Sequence, residues 1–171
     1  MEGSEKIQYQ EISAEIAEMV ERDQTMREKN IGNGNFWDDS VDAGNTARMK
    51  EIVVKIGWPT VSKVGKESSR GAWLLAQHAD KDVEFQRYCL TLMKESPPRE
   101  VRPMDIAYLV DRVRVNSGQP QLYGTQVMEE NNIFVPKPIE DDGGVDQRRK
   151  EVGLESLKDY INDISEKYKI K

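Results

Sequence analysis

The stretch from Glu5 to about Lys29 contains neither Pro nor Gly, and this absence is the strongest constraint on the fold of the chain. Apolar residues recur within it at helical spacing: Ile12, Ile16, Met19 and Val20. Apolar residues that are three and four positions apart lie on one face of an α-helix. The pattern therefore predicts a long amphipathic helix that buries one face, and with it a mainly helical protein.

Five further helices are predicted by the same spacing and by residues that start or end helices. They cover about Ala43 or Asn45 to Ile56, Lys66 to Gln77, Asp80 to about Glu95, Pro103 to about Val115, and a last helix from near Val145. Asn30 to Asn35, with its two glycines, separates the first two helices and leads to an aromatic-anchored loop at Phe36-Trp37. Gly57 ends the second helix, and Asp80 caps the fourth.

The segment from Asn116 to Ile139 departs from the helical pattern, because it is rich in Gly and Pro and carries short alternating runs. It predicts a small β-hairpin or irregular arm near 118–137. We expect a mainly α, compact, single-domain bundle of about five or six helices over residues 1–171, with frayed ends at 1–5 and 168–171. The last helix carries an apolar seam that would pack on the bundle or form a homodimer: Leu154, Leu157, Ile161, Ile164 and Tyr168.

Charge and composition restrict the function. The 31 acidic and 25 basic residues give a net charge of −6, which disfavours a general nucleic-acid surface but permits a local basic site for an anion. The longest uncharged apolar stretch, Gly71 to Gln77, is too short to span a membrane, and no signal peptide is visible, so we expect a cytoplasmic protein. With one Cys and one His, the chain has no internal disulfide and no Cys/His zinc site, and we expect neither a metal nor a cofactor.

Charged residues in the register of a buried helix face must be paired or belong to a site, because an unpaired charge is costly to bury. Asp23 shares the face of Met19 and Val20, and Arg27 follows it by four residues. An ion pair within the helix at the rim of the core explains both residues. The alternative hypothesis is that they bind a substrate.

His78, the single histidine, follows Leu74 and Leu75 on an otherwise apolar helix face, between Gln77 and Asp80. One interpretation is a buried histidine that is hydrogen-bonded to a neighbour. The other is a proton-transfer residue whose tautomer is fixed by Asp80 or Asp111, since imidazole is the side chain best suited to proton transfer near neutral pH.

Two arginine-containing motifs suggest an anion site. Asp111-Arg112 lies near the end of its predicted helix, where the carboxylate opposes the helix dipole, so local stability does not explain Asp111. Arg112 either complements the helix end or presents a planar fork to a carboxylate or phosphate. Arg148-Arg149 opens the last predicted helix, where two cations are unfavourable, so these arginines reach either acidic side chains or an anionic ligand.

The arm from Gln119 to Gln126 concentrates amides and hydroxyls around Gly124. One interpretation is an ordinary hairpin whose polar side chains face water. The other is a ligand site in which Tyr123 and Gln126 offer neutral donors and acceptors. Cys89 lies on an apolar stripe with Phe85 and Leu92, which indicates a core residue and not a nucleophile.

The QHAD motif at 77–80, the DRV motif at 111–113 and the YGTQ motif at 123–126 occur together with Asp23, Arg27 and Arg148-Arg149. This combination resembles a bacterial family known only as a domain of unknown function, and the likeness covers about Asp23 to Tyr160. The resemblance implies a small, stand-alone domain and carries no known activity.

Three functions remain open. The first is a small, cofactor-independent acid–base enzyme, of hydrolase, lyase, isomerase or cyclase type, that acts on a small polar or anionic substrate. The second is a non-catalytic protein that sequesters a small anionic ligand or nucleotide, and the third is an acidic interaction or immunity protein. The enzyme hypothesis assigns catalysis to His78, Asp111 and Tyr123, and substrate binding to Asp23, Arg27, Gln77, Asp80, Arg112, Gln126, Arg148 and Arg149.

Overall fold

The computed structural model describes residues 7–33 and 37–168. These residues form eight α-helices and one two-stranded hairpin, which confirms the predicted mainly α fold with a small β element. The elements are α1 (Gln10–Asn33), α2 (Asp39–Ile56), α3 (Val61–Val64), α4 (Lys66–Gln77), α5 (Val83–Glu95), α6 (Pro103–Asn116), β1 (Val127–Glu130), β2 (Ile133–Pro136), a 3-10 turn (Asp142–Gly144), α7 (Val145–Glu151) and α8 (Leu157–Lys167). None of the helices in these residues is long and apolar enough to cross a membrane.

The chain groups into two compact units, one up to Val101 and one from Arg102 onward. The expectation of one domain over 1–171 stays a prediction. The frayed ends predicted at 1–5 and beyond Tyr168 lie outside the described residues, whereas Tyr168 itself follows the end of α8.

Helix α4 is the centre of the first unit, because it packs against α1, α2, α3 and α5. Its small residues allow a close approach to α1: a Cβ added to Gly71 would lie 2.9 Å from Cγ2 of Val20 and 3.1 Å from Cγ2 of Ile16. Glycine inside a helix is less favourable than alanine by about 1 kcal/mol of helix stability. The close contact between α1 and α4 explains why a glycine is present at position 71.

The boundaries of α2 and α5 follow from their caps. Asp38 accepts a hydrogen bond from the backbone N–H of Ser40 at 2.9 Å, so α2 begins earlier than the predicted Ala43 or Asn45. Asp82, and not the predicted Asp80, caps α5 by accepting from the N–H of Phe85 at 3.0 Å. Gly57 ends α2 as predicted, with a φ of 68° that favours glycine.

The break predicted at Asn30–Asn35 begins too early in the sequence, because α1 continues to Asn33. One glycine does not stop a helix whose other residues favour it. Phe36 lies outside the described residues, and Trp37 of the predicted aromatic-anchored loop is half exposed.

In the second unit, β1 pairs antiparallel with β2, which confirms the predicted hairpin. The turn residues Asn131 and Asn132 have φ values of 52° and 64°, as expected for a tight hairpin turn. The last predicted helix is split at Gly153, where φ is 80°, into α7 and α8. Helix α8 packs against β2, so part of its apolar seam is used within this unit, and the homodimer stays a prediction.

Two adjacent valines of α2 test the packing of the first unit. Val53 is 2% exposed and Val54 is 80% exposed. We expect Val53→Ala to lower the free energy of unfolding by about 2 kcal/mol, through lost burial and the cavity that remains. Val54→Ala, the matched control, should change it by less than about 0.5 kcal/mol. Urea unfolding measures both, and equal effects would contradict the described orientation of α2.

Candidate functional site

His78 lies at the C-terminal end of α4, where its backbone N–H still donates to the carbonyl of Leu74 at 3.1 Å. Because α4 packs on α1, the imidazole contacts a side chain of α1. Its Nδ1 is 2.8 Å from Oδ1 and 3.0 Å from Oδ2 of Asp23. The hydrogen-bonded pair of Asp23 and His78 therefore joins the two helices.

Asp23 is completely buried, and its hydrogen-bond donors in the described part of the chain are all side chains. Gln24 donates to it through Nε2 at 2.7 Å, and Arg27 donates through Nε at 3.2 Å. Burial alone would raise the pKa of Asp23, but the hydrogen bond to His78, together with those from Arg27 and Gln24, holds the pKa below its usual range. Asp23 is thus an ionised carboxylate at neutral pH.

The ionised state of Asp23 determines the tautomer of His78. A ring nitrogen 2.8 Å from a carboxylate must carry the proton, because two lone pairs would repel at that distance. Nε of Arg27 also lies 3.0 Å from Nδ1, and we interpret the two groups as donors to the same carboxylate. Nε2 of His78 makes no hydrogen bond to residues 7–33 and 37–168 and is the basic nitrogen.

Arg27 connects Asp23 to a second carboxylate. Its Nη2 donates to Oδ1 of Asp42 at 2.7 Å, and its guanidinium carbon lies 4.8 Å from the centre of the Trp37 ring. Burial raises the pKa of Asp42, although the charge of Arg27 partly opposes this effect. The pKa values of Asp23 and Asp42 are thus shifted in opposite directions. This arrangement is typical of sites that need one charged group and one proton carrier.

His78 and Asp42 line a cavity of about 400 Å³ in the first unit. Its wall also contains the indole of Trp37 and polar or charged side chains of α2 and of the α4–α5 connection, among them Thr46, Lys50, Asp80 and Asp82. This volume is within the range of small-molecule sites.

The structure brings together three of the predicted site residues, Asp23, Arg27 and His78. Gln77 is buried and does not line the cavity, whereas Asp80 is exposed and does. Nδ1 of His78 is hydrogen-bonded to Asp23 of α1 and not to Asp80, so an orienting role of Asp80 has no support from this contact. The cavity residues Asp42 and Trp37 were not predicted as site residues, since only the packing of α2 on α1 brings them to His78.

Asp111, in the second unit, is fully buried and anchors the adjacent arm. Its two oxygens accept from the backbone N–H groups of Leu122, Tyr123 and Thr125 at 2.8 to 3.2 Å, and from Oγ1 of Thr125 at 2.9 Å. These donors use both carboxylate oxygens, and an orienting role of Asp111 for His78 stays a prediction. Its position near a helix end is explained by the loop that it holds.

Three arginines hold the same arm. Arg149, with no exposed surface, donates through Nη1 to the carbonyl of Tyr123 at 2.6 Å and through Nε to that of Glu155 at 2.7 Å. Arg148 donates to the carbonyl of Leu122 at 2.8 Å and to Asp141 at 2.9 Å, and Arg112 donates to Oε1 of Gln126 at 2.9 Å.

Arg148 and Arg149 lie in the last turn of α7, not at the start of a helix as expected, and there cations are favourable. Their contacts support a structural role over an anion site.

The remaining arm residues follow this pattern. The buried side chain of Gln121 donates to the carbonyl of Gln126 and accepts from its N–H at 2.8 Å. Gly124 has a φ of 68°, and an added Cβ would lie 2.7 Å from Leu157. Tyr123 is half-buried and bonded through its backbone, so a catalytic role of its hydroxyl stays a prediction. Cys89 is buried, and burial raises the pKa of its thiol to about 12, which confirms it as a core residue.

A model of a protein family described as a family of unknown function (DUF6624) matches residues 10–171. This match confirms the resemblance to a family of unknown function. No curated protein and no solved structure matches the chain. In residues 7–33 and 37–168, no three His, Cys, Asp or Glu side chains are grouped so that they could bind a metal ion.

The loop anchor is tested by Asp111→Asn. The substitution replaces a charged acceptor with an amide that also presents donors to the N–H groups, so we expect a loss of about 3 kcal/mol in the free energy of unfolding. Amide hydrogen exchange at Leu122, Tyr123 and Thr125 should become faster. Asp163→Asn, at an exposed position of α8, is the matched control and should leave both quantities unchanged.

The pH dependence of stability tests the charge of Asp23. Because its folded pKa is lower than its unfolded pKa, its ionisation contributes stability above an unfolded pKa of about 3.9, and this is lost as the pH falls through the folded value. The difference in free energy of unfolding between the wild type and Asp23→Asn should therefore narrow as the pH falls below about 4. If the difference in free energy of unfolding grew toward acid pH, this would contradict the lowered pKa of Asp23 in the folded state.

Proposed function

We propose that this chain, which belongs to the DUF6624 family, is a small acid–base enzyme in which His78 transfers a proton without a cofactor. One observation carries the proposal: Nδ1 of His78 is 2.8 Å from the fully buried, ionised Asp23, and His78 lines a cavity of small-molecule size. A carboxylate that orients an imidazole and stabilises its protonated form is a recurring arrangement in acid–base catalysis.

The proposed reaction uses Nε2 of His78 as the base. Nε2 takes a proton from a water molecule, a hydroxyl group or an acidic C–H group of the substrate in the cavity, and the imidazolium that forms is stabilised by Asp23. The same proton is later delivered to the leaving group or to the rearranged carbon. Arg27 positions Asp23 through its Nε while its Nη2 binds Asp42, so the carboxylate keeps its orientation through the cycle.

Asp42 is the candidate for a second proton carrier. It lines the cavity beside His78, and its raised pKa favours a protonated form more than is usual for an aspartate. A base and an acid in one cavity suit a hydrolase, lyase, isomerase or cyclase acting on a small polar substrate. A covalent intermediate at Cys89 is not part of the proposal, because this thiol is buried in the core.

The arm of the second unit is also outside the proposed machinery. The substrate-binding role expected for Arg112, Gln126, Arg148 and Arg149, and the catalytic role expected for Asp111, would require groups that are hydrogen-bonded within the arm. We propose that this set maintains the conformation of the arm.

The test is to incubate the protein with a polar metabolite extract and to follow the compounds by mass spectrometry. We expect the wild type to convert at least one compound, and His78→Gln to do so about 10² to 10⁴ times more slowly, because general acid–base catalysis contributes a factor of this size. Asp23→Asn should also be slower, since it changes the tautomer of His78. Glu84→Gln, a control on the exposed face of α5, should retain the full rate.

The outcomes distinguish the hypotheses. A compound that binds unchanged, with equal affinity for the wild type and His78→Gln, would favour sequestration over catalysis. Conversion at equal rates by both proteins would exclude His78 as the proton-transfer residue, and neither binding nor conversion would favour an interaction protein.

A further inference from the structure

Helix α2 presents two hydrogen-bonding groups, one helical turn apart, to the cavity beside His78. Asp42 and Thr46 both line this cavity, and residues four apart on a helix have Cβ atoms about 5 to 6 Å from each other. Oδ1 of Asp42 accepts from Arg27, whereas Oδ2 of Asp42 and the hydroxyl of Thr46 make no hydrogen bond in the described part of the chain. A carboxylate oxygen that accepts and a hydroxyl that can donate are therefore side by side on one wall.

The other surfaces of the cavity favour a flat ligand. The indole of Trp37 lines the cavity and is 49% exposed. Arg27, whose guanidinium carbon lies 4.8 Å from the centre of this ring, is not among the described residues that line the cavity, so the exposed part of the indole is available to a ligand. Ala43 and Ala47 add only methyl groups to the α2 wall. A flat ring has apolar faces for such surfaces and a polar edge for the acceptor and the hydroxyl.

The charges around the cavity disfavour an anionic ligand. Both lysines among the described residues that line it are already paired with carboxylates: Nζ of Lys50 lies 2.5 Å from Asp82, and Nζ of Lys81 lies 2.8 Å from Asp39. An anion would have to displace one of these carboxylates from its lysine. A neutral ligand with an N–H donor needs no such exchange, because it meets an acceptor directly.

We propose, on the basis of the acid–base site described above, that its substrate is a flat nitrogen heterocycle of the cyclic amide or cyclic urea class. In such a ring the N–H and the C=O of one amide point to the same side. The N–H donates to Oδ2 of Asp42, the hydroxyl of Thr46 donates to the C=O, and the ring stacks on Trp37. This class differs from the anionic substrate that the arginine motifs of the sequence suggested.

The probes are uracil, 1,3-dimethyluracil and 5,6-dihydrouracil. The dimethyl compound keeps the flat ring and lacks both N–H groups, whereas the dihydro compound keeps both N–H groups and lacks the flat ring. The reporter is the imidazole of His78, whose NMR signals need no assignment because the chain contains one histidine. We expect a saturable shift of these signals with uracil. Dihydrouracil should bind at least about fivefold more weakly through lost stacking, and dimethyluracil at least about tenfold more weakly through the lost hydrogen bond to a charged acceptor.

Three variants locate the binding. Trp37→Ala should weaken uracil binding by about fivefold or more, the effect of losing one stacked aromatic side chain. Tyr88→Ala, the matched control, removes an aromatic ring that is 47% exposed and does not line the cavity, and it should leave binding unchanged. Thr46→Val keeps the shape of the side chain without the hydroxyl, and it should weaken binding by about twofold to tenfold. Because this position is partly exposed, Thr46→Val keeps the test valid if Trp37→Ala does not fold.

The proposal is overturned if uracil causes no saturable shift up to its solubility limit, if either modified ring binds as tightly as uracil, or if Thr46→Val binds uracil like the wild type. These results would leave the acid–base proposal intact. That proposal fails separately, if the ¹⁵N shifts of the free protein place the imidazole proton on Nε2 and not on Nδ1 of His78.

Discussion

The candidate site depends on one buried charge, the carboxylate of Asp23. A carboxylate with no exposed surface is unfavourable unless it is paired and hydrogen-bonded, and Asp23 receives donors from Gln24, Arg27 and His78. Two of these donors follow it on the same helix, and the third comes from α4. The charge therefore links the conformation of α1 to the end of α4, and it is the reason that the single imidazole of the chain has a defined orientation and tautomer.

Asp111 shows that an equally buried carboxylate can serve a different purpose. Its partners are three backbone N–H groups and a hydroxyl, none of which titrates near neutral pH, so it stabilises a loop and leaves no group for chemistry. Asp23 instead faces a titratable imidazole that also borders a cavity. The two carboxylates are equally buried and thus differ in the identity of their donors.

Much of the fold was predictable from local sequence, and the composition of the site was not. The first residues of α4 and α6 follow from Gly65 and Pro103, whose effects act within one turn of helix. Register with the buried face also identified Asp23 as a polar residue on that face, and the helix dipole singled out Asp111. The imidazole that contacts Asp23 is 55 positions away, and the donors to Asp111 are 11 to 14 positions away. Such partners are set by helix packing and loop conformation, on which periodicity carries no information.

The pair of Asp23 and His78 is not needed to pack α1 on α4. Ile16 and Met19 on α1 are already buried, and Gly71 lets the helices approach closely enough for the methyl groups of Ile16 and Val20 to contact α4. Apolar residues of similar volume often replace a buried ion pair with no loss of stability, and sometimes with a gain. Stability alone thus gives no reason for a charged pair at this position, beside a cavity that could have been closed by apolar side chains. A pair of apolar residues would lack an imidazole whose basic nitrogen points away from Asp23. This difference favours proton transfer as the reason for the pair.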